Sequence, residues 1–217
     1  VEGKGTLFNA FANSFLESQY NLNYSEKMGD WSTILIGHTS QRGGDIDNNG
    51  DSFLDLPHTT RYMAYNKWTY TSDENQMKSY IAAKFVDEER IGGQKGFKAA
   101  TDKGTMNSYG QVLDMSRLEA YGKLEKEVGD EQFIDILTSF STHRLDGAYG
   151  TTRYSGNQVT FYGDVRFESS PFEENTLTIG AGFRYLDLDE SIDLGINPQN
   201  KTYAGDYNSS ETVPGAF

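Results

Sequence analysis

The 217-residue sequence contains no cysteine, which excludes a disulfide framework and any thiolate metal site. No run approaches the ~20 consecutive apolar residues that a membrane-crossing helix needs. Basic residues are in the minority. Nineteen Lys and Arg face 32 Asp and Glu, for a net charge of -13. That balance argues against a nucleic-acid partner, because a phosphate backbone wants a basic face. No stretch of useful length has helical periodicity, and no internal repeat stands out beyond a recurring hairpin rhythm. Val1 opens directly into strand-like sequence without a secretory leader, so the expectation is a mature, trimmed or fragmentary chain.

What the sequence does have is alternation. Aromatics make up 13% of the chain, led by 14 Tyr and 13 Phe, residues that suit strands and the aromatic girdles of a barrel. The clearest pattern lies between Arg117 and His143. From Arg117 to Val128, the residues Leu118, Ala120, Gly122, Leu124 and Val128 take one face, while Arg117, Glu119, Tyr121, Lys123 and Glu125 take the other. Gly129-Asp130 makes a tight reversal. Gln132–His143 then returns with Ile134, Ile136, Thr138 and Phe140 on one side and Asp135, Ser139, Ser141 and His143 opposite. Period two over about a dozen residues exceeds the usual ~5–6 of a globular strand. It matches the ~9–11 tilted residues of a strand that crosses a bilayer.

The same rhythm predicts strands over Phe8–Tyr24, Trp31–Thr39, Tyr62–Tyr70, Met77–Phe85, Val159–Glu168 and Leu177–Tyr185. Short turns fall near residues 28, 73, 130 and 172. Long polar connections are expected over Gln41–Pro57, Asp87–Gln111, Arg144–Asn157 and Asp187–Pro214. One rim of short turns and one of long loops is the pattern of a transmembrane antiparallel β-barrel, with periplasmic turns and extracellular loops. The expected fold is therefore all-β, with about eight long strands. Leu118, Leu124, Ile134, Ile136, Val165, Phe167, Ile179 and Phe183 would face lipid. Glu119, Glu125, Asp164 and Glu168 would share a charge-paired lumen wall with Arg117, Lys123 and Arg166. The competing reading is a soluble β-sandwich, which would show no one-sided loop asymmetry. Eight strands could close alone. Yet Glu211–Phe217 reads as the lead-in to a further strand, which points to residues 1–217 being part of a larger barrel domain.

One loop carries a chemical motif. Asp45-Ile-Asp-Asn-Asn-Gly-Asp-Ser-Phe-Leu-Asp55 places Asp45, Asp47 and Asn49 at positions 1, 3 and 5 of an acidic calcium loop, and Gly50 at the sharp turn. Asp51 at position 7 offers a carbonyl, and Asp55 supplies a further carboxylate. Position 12 is Leu56 instead of a bidentate Glu, and no helices flank the loop, so it is not an EF-hand. Asp45, Asp47, Asn49, Asp51 and Asp55 are the candidate Ca²⁺ ligands, with an acidic solvated turn as the alternative. His38, His58 and His143 lack metal-ligand spacing. Gly92–Gly96 lacks the context of a phosphate loop. No nucleophile–base grouping is evident, so an enzyme is not expected.

The long strands, the DIDNNGDSFLDLP loop of residues 45–57 and the Glu211-Thr-Val-Pro-Gly-Ala-Phe217 segment together resemble TonB-dependent outer-membrane receptors. The likeness is greatest to Bacteroidetes-type receptors related to cobalamin and siderophore importers. The resemblance covers nearly the whole chain but only about eight strands of a 22-stranded family barrel, and the family's plug has no counterpart here. It implies a Gram-negative outer-membrane location with lipid around the barrel. It also implies uptake of a scarce small molecule or metal chelate (cobalamin, a siderophore–metal complex or similar), energised by TonB through the missing plug. A surface lipoprotein would be compatible as a further partner. Family members hold calcium in an acidic extracellular loop, matched in kind by Asp45, Asp47, Asn49, Asp51 and Asp55. Two other classes stay open: a small autonomous outer-membrane barrel with an adhesive or structural role, and a secreted calcium-stabilised β protein.

Overall fold

The computed structural model describes residues 3–172, 175–195 and 204–217. Its ten strands are β1 (Gly5–Ala12), β2 (Glu17–Met28), β3 (Trp31–Arg42), β4 (His58–Ser72), β5 (Met77–Gly93), β6 (Gly110–Gly129), β7 (Gln132–Tyr149), β8 (Thr152–Phe172), β9 (Asn175–Asp193) and β10 (Gly205–Ala216). They form one antiparallel sheet in sequence order, so each strand pairs with the one before and the one after it. A single helical turn, α1 (Ala99–Asp102), lies in the connection from β5 to β6. β6 to β9 run 20, 18, 21 and 19 residues, about twice what a bilayer crossing needs. The all-β antiparallel expectation holds.

Register converts the period-two pattern into two chemically distinct faces. Directly paired residues point the same way, and the pairs Phe8↔Leu22, Phe85↔Leu118, Leu124↔Ile136, Ile136↔Val165 and Phe167↔Ile179 place large apolar groups side by side across the sheet. All eight residues predicted to face outward share this face. It is open to its surroundings: Ile81 is 64% exposed, Val165 50% and Ile179 52%. The apolar belt also slants across the pairing rows. One row runs from Leu22 through Gly37, Ala64, Phe85, Leu118, Thr142 and Val159 to Asp187, beginning inside the belt and ending above it. Strands tilted to a common plane produce such a slant, as the staggered strands of a barrel do.

A soluble core is not what this sheet builds. Among the described residues the buried apolar side chains are Ala82, Val112 and Ala148, and no large side chain is fully buried. The chain exposes 13879 Å², whereas a compact monomer of its 24.3 kDa mass would expose about 10,000 Å². No second layer covers the apolar face among the described residues. A sandwich would have hidden that face against another sheet.

Four boundaries differ from the sequence expectation, each for a physical reason. Phe8–Tyr24 is not one strand but a hairpin of β1 and β2, turned through 13–16. The pairing Ala10↔Tyr20 keeps even-numbered residues on one face, so the alternation passes through the turn unbroken. The turn also lacks glycine. Leu16 takes the left-handed backbone (φ 56°), and Asn13 Oδ1 accepts from the Phe15 and Glu17 N–H groups at 3.0 and 3.2 Å. Arg144–Asn157 is not a long loop. β7 and β8 extend through it to a reversal at 150–151, where Gly150 adopts φ 57°. Polar residues such as Arg144, Asp146, Arg153 and Ser155 occupy the apolar parity there, so no apolar alternation marks the strands. The Asp87–Gln111 connection shortens to 94–109, because β5 continues to Gly93.

Within Asp187–Pro214, β9 continues to Asp193 and β10 occupies Gly205–Ala216, making ten strands instead of about eight. Pro214 is accommodated because Phe217 and Gly180 exchange both backbone hydrogen bonds, at 2.9 and 3.1 Å. Hydrogen-bonded pairs alternate along an antiparallel ladder, so Val213↔Arg184 is another and Pro214↔Phe183 is not. The N–H that proline lacks would have pointed away from β9. The sheet edges are therefore β1 and β10.

Candidate functional site

The connections fall on two unlike rims. β2–β3, β4–β5, β6–β7 and β8–β9 are joined on one rim by at most four residues. The other rim carries residues 43–57 between β3 and β4 and 94–109 between β5 and β6, alongside the shorter joins at 13–16 and 150–151. The β9–β10 connection leaves from the same rim at Gly195 and returns at Ala204, with 196–203 outside the described residues.

Opposite the apolar face lies a wall of alternating charge. Arg117 pairs with Glu119 at 2.6 Å, Lys84 with the same carboxylate at 3.6 Å, and Lys123 with Glu125 at 2.8 Å and Asp135 at 3.6 Å. Arg166 holds Asp164 at 2.5 Å. Asp164 is buried beneath that guanidinium, whose charge offsets the cost of taking a carboxylate out of water. The sequence had grouped Arg117, Glu119, Lys123, Glu125, Asp164 and Arg166 on one side, and the register brings them together and adds Lys84. Tyr65 and Tyr80, which it did not single out, join Tyr121 there. Tyr65 and Tyr121 share a hydroxyl–hydroxyl bond of 3.0 Å, and Lys67 Nζ lies 4.3 Å from the Tyr80 ring centroid. Their signal was their position on the charged parity of β4, β5 and β6. His38 Nδ1 lies 2.7 Å from Asn21 Oδ1 on this face.

The acidic loop is ordered by its own carboxylates. Asp47 accepts from the Gly50 N–H at 2.8 Å and the Ser52 N–H at 3.2 Å, and Lys95 Nζ approaches it at 3.6 Å. Asn49 Oδ1 accepts from the Asp51 N–H, Asp51 Oδ1 from the Phe53 N–H at 2.8 Å, and Asp55 Oδ2 from the Asn48 N–H at 2.8 Å. Asp45 lies 2.9 Å from His58 Nε2. Gly50 supplies the sharp turn at φ 72°. Among the described residues no three acidic or histidine side chains converge as a metal-holding group. The five candidate residues share one loop, with most of their oxygens turned onto backbone donors. This loop is also tied to the next one. The Leu54 N–H donates to Gly93 O and the Lys95 N–H to Ser52 O, each at 2.8 Å, and Phe53 pairs with Gln94.

Two cavities open at this rim. One of about 660 Å³, between α1 and the ends of β6–β9, is lined by both charge signs, including Lys103, Arg153, Asp114, Asp146 and Asp193. There the Ser155 hydroxyl, with help from Arg144, holds the Asp146 carboxyl below its ordinary range. Donation to Glu190 at 2.7 Å, together with partial burial, pushes the Tyr154 hydroxyl up to about 12. The other, of about 560 Å³, lies over β2–β5 on the charged face.

An all-β antiparallel sheet with one apolar face, one charged face, a rim of tight turns and a rim of long loops is the class of structure these features define. Among solved structures, the chain is similar to BauA, the ferric preacinetobactin receptor from Acinetobacter baumannii. The TM-score is 0.54 at 10% identity, over 98% of this chain and 39% of that receptor. At that identity the likeness speaks to the fold, and this chain spans well under half of the receptor's length. No family model matches the chain, and no curated protein matches it.

Proposed function

We propose that the chain is part of the barrel of a TonB-dependent receptor in a Gram-negative outer membrane, importing a scarce solute such as a metal chelate or a cobalamin-like molecule. The observation that carries this reading is the exposed apolar face, continuous from β1 to β9 and backed by a charged one. Lipid covers such a face at no cost, and a solvated lumen suits the other. Both edges support further strands. β1 and β10 are exposed along their whole length, and Leu7, Phe8, Phe11, Tyr207 and Val213 stand open on them. Unpaired edges in hydrocarbon cost several kcal/mol per backbone group, so a barrel closed by additional strands is the arrangement that suits them. The fold likeness to BauA agrees with this reading.

The test is uptake. The full protein, expressed in a host lacking its own importer for a ferric siderophore or cobalamin, should restore accumulation of one such solute. That accumulation should vanish in a strain without TonB. Accumulation that persists without TonB, or a protein that stays dispersed in buffer without detergent, would contradict the proposal.

Calcium is the cofactor proposed for the 45–55 loop. It would replace the backbone donors now held by Asp47, Asp51 and Asp55 and draw Asp45 from His58. Loops of this kind bind weakly, at about 10⁻⁴–10⁻³ M. Calorimetric titration of the full protein should show calcium heats that shrink in Asp45→Asn, which removes a carboxylate without touching a backbone bond. Identical heats for the two proteins would remove the site.

A further inference from the structure

The cavity of about 560 Å³ on the charged face collects cations in a strongly acidic chain. Arg42 from β3, Arg61 from β4 and Arg90 from β5 all line it, because Arg42 and Arg90 both face Thr59 across their ladders and Arg61 lies two residues along β4. Glu88 stands beneath them with 6% of its side chain exposed, and its two oxygens take the Nε groups of Arg61 and Arg90. Binding through Nε leaves the terminal amino groups of each fork for another acceptor. Those two side chains are 40% and 47% exposed, open to the charged side of the sheet. Arg42 is held by neutral oxygens instead, donating from Nε to Pro57 O at 2.8 Å and from Nη2 to Thr59 Oγ1 at 3.2 Å. The other carboxylate of the cavity, Glu17, is already engaged by Gln19 at 2.6 Å and Asn13 at 3.0 Å. Three fixed guanidiniums against two occupied carboxylates leave a positive excess.

From this geometry we infer that the cavity is a subsite for an oxyanion, the carboxylate or phosphate end of a solute entering from the long-loop rim. Guanidinium forks match the planar carboxylate and the phosphate edge with paired, charge-assisted hydrogen bonds. Buried Glu88 positions two of those forks and offsets their mutual repulsion, so the guest meets a rigid cradle. The chain elsewhere repels anions, and this patch gives an anionic solute a place to rest on the lumen wall. The inference deepens the importer reading and rests on it for the solute's route, whereas the anion preference rests on the cavity alone.

Titration of the full protein at low salt with citrate, inorganic phosphate and uncharged glycerol tests it. Citrate or phosphate should bind and glycerol should not, with affinity falling as salt screens the charges. Arg42→Gln removes one charge and should weaken anion binding roughly tenfold or more, the worth of a charge-assisted hydrogen bond. Ser40→Asp, which places a carboxylate opposite Arg61, should weaken it similarly and provides a second variant should the first fail to fold. Anions binding no better than glycerol, or unchanged affinity in either folded variant, would overturn the subsite. The titration runs equally in detergent or in buffer, so failure of the membrane reading would show in the protein's solubility and not in these affinities.

Discussion

Val165 and Ser139 show how much one position along a strand decides. Val165 lies on the apolar face between Ile136 and Ala181, and Ser139 lies on the charged face between Tyr121 and Tyr162. An arginine at Val165 would have to enter hydrocarbon, at a cost of about 2–4 kcal/mol near the bilayer midplane. An arginine at Ser139 joins a wall that already holds Lys123, Asp135 and Arg166. Val165→Arg should therefore lower stability by about that amount in reversible unfolding from lipid vesicles, while Ser139→Arg should cost much less. Equal losses would mean that the two faces meet the same medium.

At the scale of elements, the turns explain what the sequence revealed and what it hid. The reversal at Asp130 was legible because Gly129-Asp130 interrupts two alternating arms, although Glu131, and not Gly129, takes the left-handed backbone there (φ 53°). The turn at 13–16 was not, because it holds neither glycine nor proline and the alternation runs through it. If Asn13 holds that turn, Asn13→Ala should cost about 1 kcal/mol for the lost bonds to the Phe15 and Glu17 N–H groups, read by thermal unfolding. No change in unfolding would show that Leu16 is held in its left-handed conformation by other means. The strand extensions at 144–149 and 152–157 were hidden for another reason. Beyond the apolar belt polar residues such as Arg144, Asp146, Arg153 and Ser155 take the apolar parity, so no apolar alternation marks the strand and only the ladder reveals it. β10 was hidden by Pro214, which reads as a strand breaker until its missing N–H is seen to point away from β9. The charged wall was legible from parity. The arginine cluster over Glu88 was not, because Arg42, Arg61 and Arg90 are brought together by register between strands, which no local spacing encodes.

For the whole molecule, the balance of buried and exposed surface is the decisive quantity. A sheet of ten strands with three small or medium apolar side chains buried among the described residues cannot be stabilised by a core of its own. Its apolar face needs a covering medium, and the slant of the belt across the pairing rows fits a planar slab crossed by tilted strands. The central claim is that this medium is lipid on one face and water on the other. Spin labels placed singly at residues 161 to 167 of β8 in the full protein, reconstituted in lipid vesicles, test it most directly. Accessibility to dissolved oxygen should peak at Phe161, Gly163, Val165 and Phe167, and accessibility to a water-soluble nickel chelate should peak at Tyr162, Asp164 and Arg166. Equal lipid exposure at Val165 and Asp164 would contradict the account.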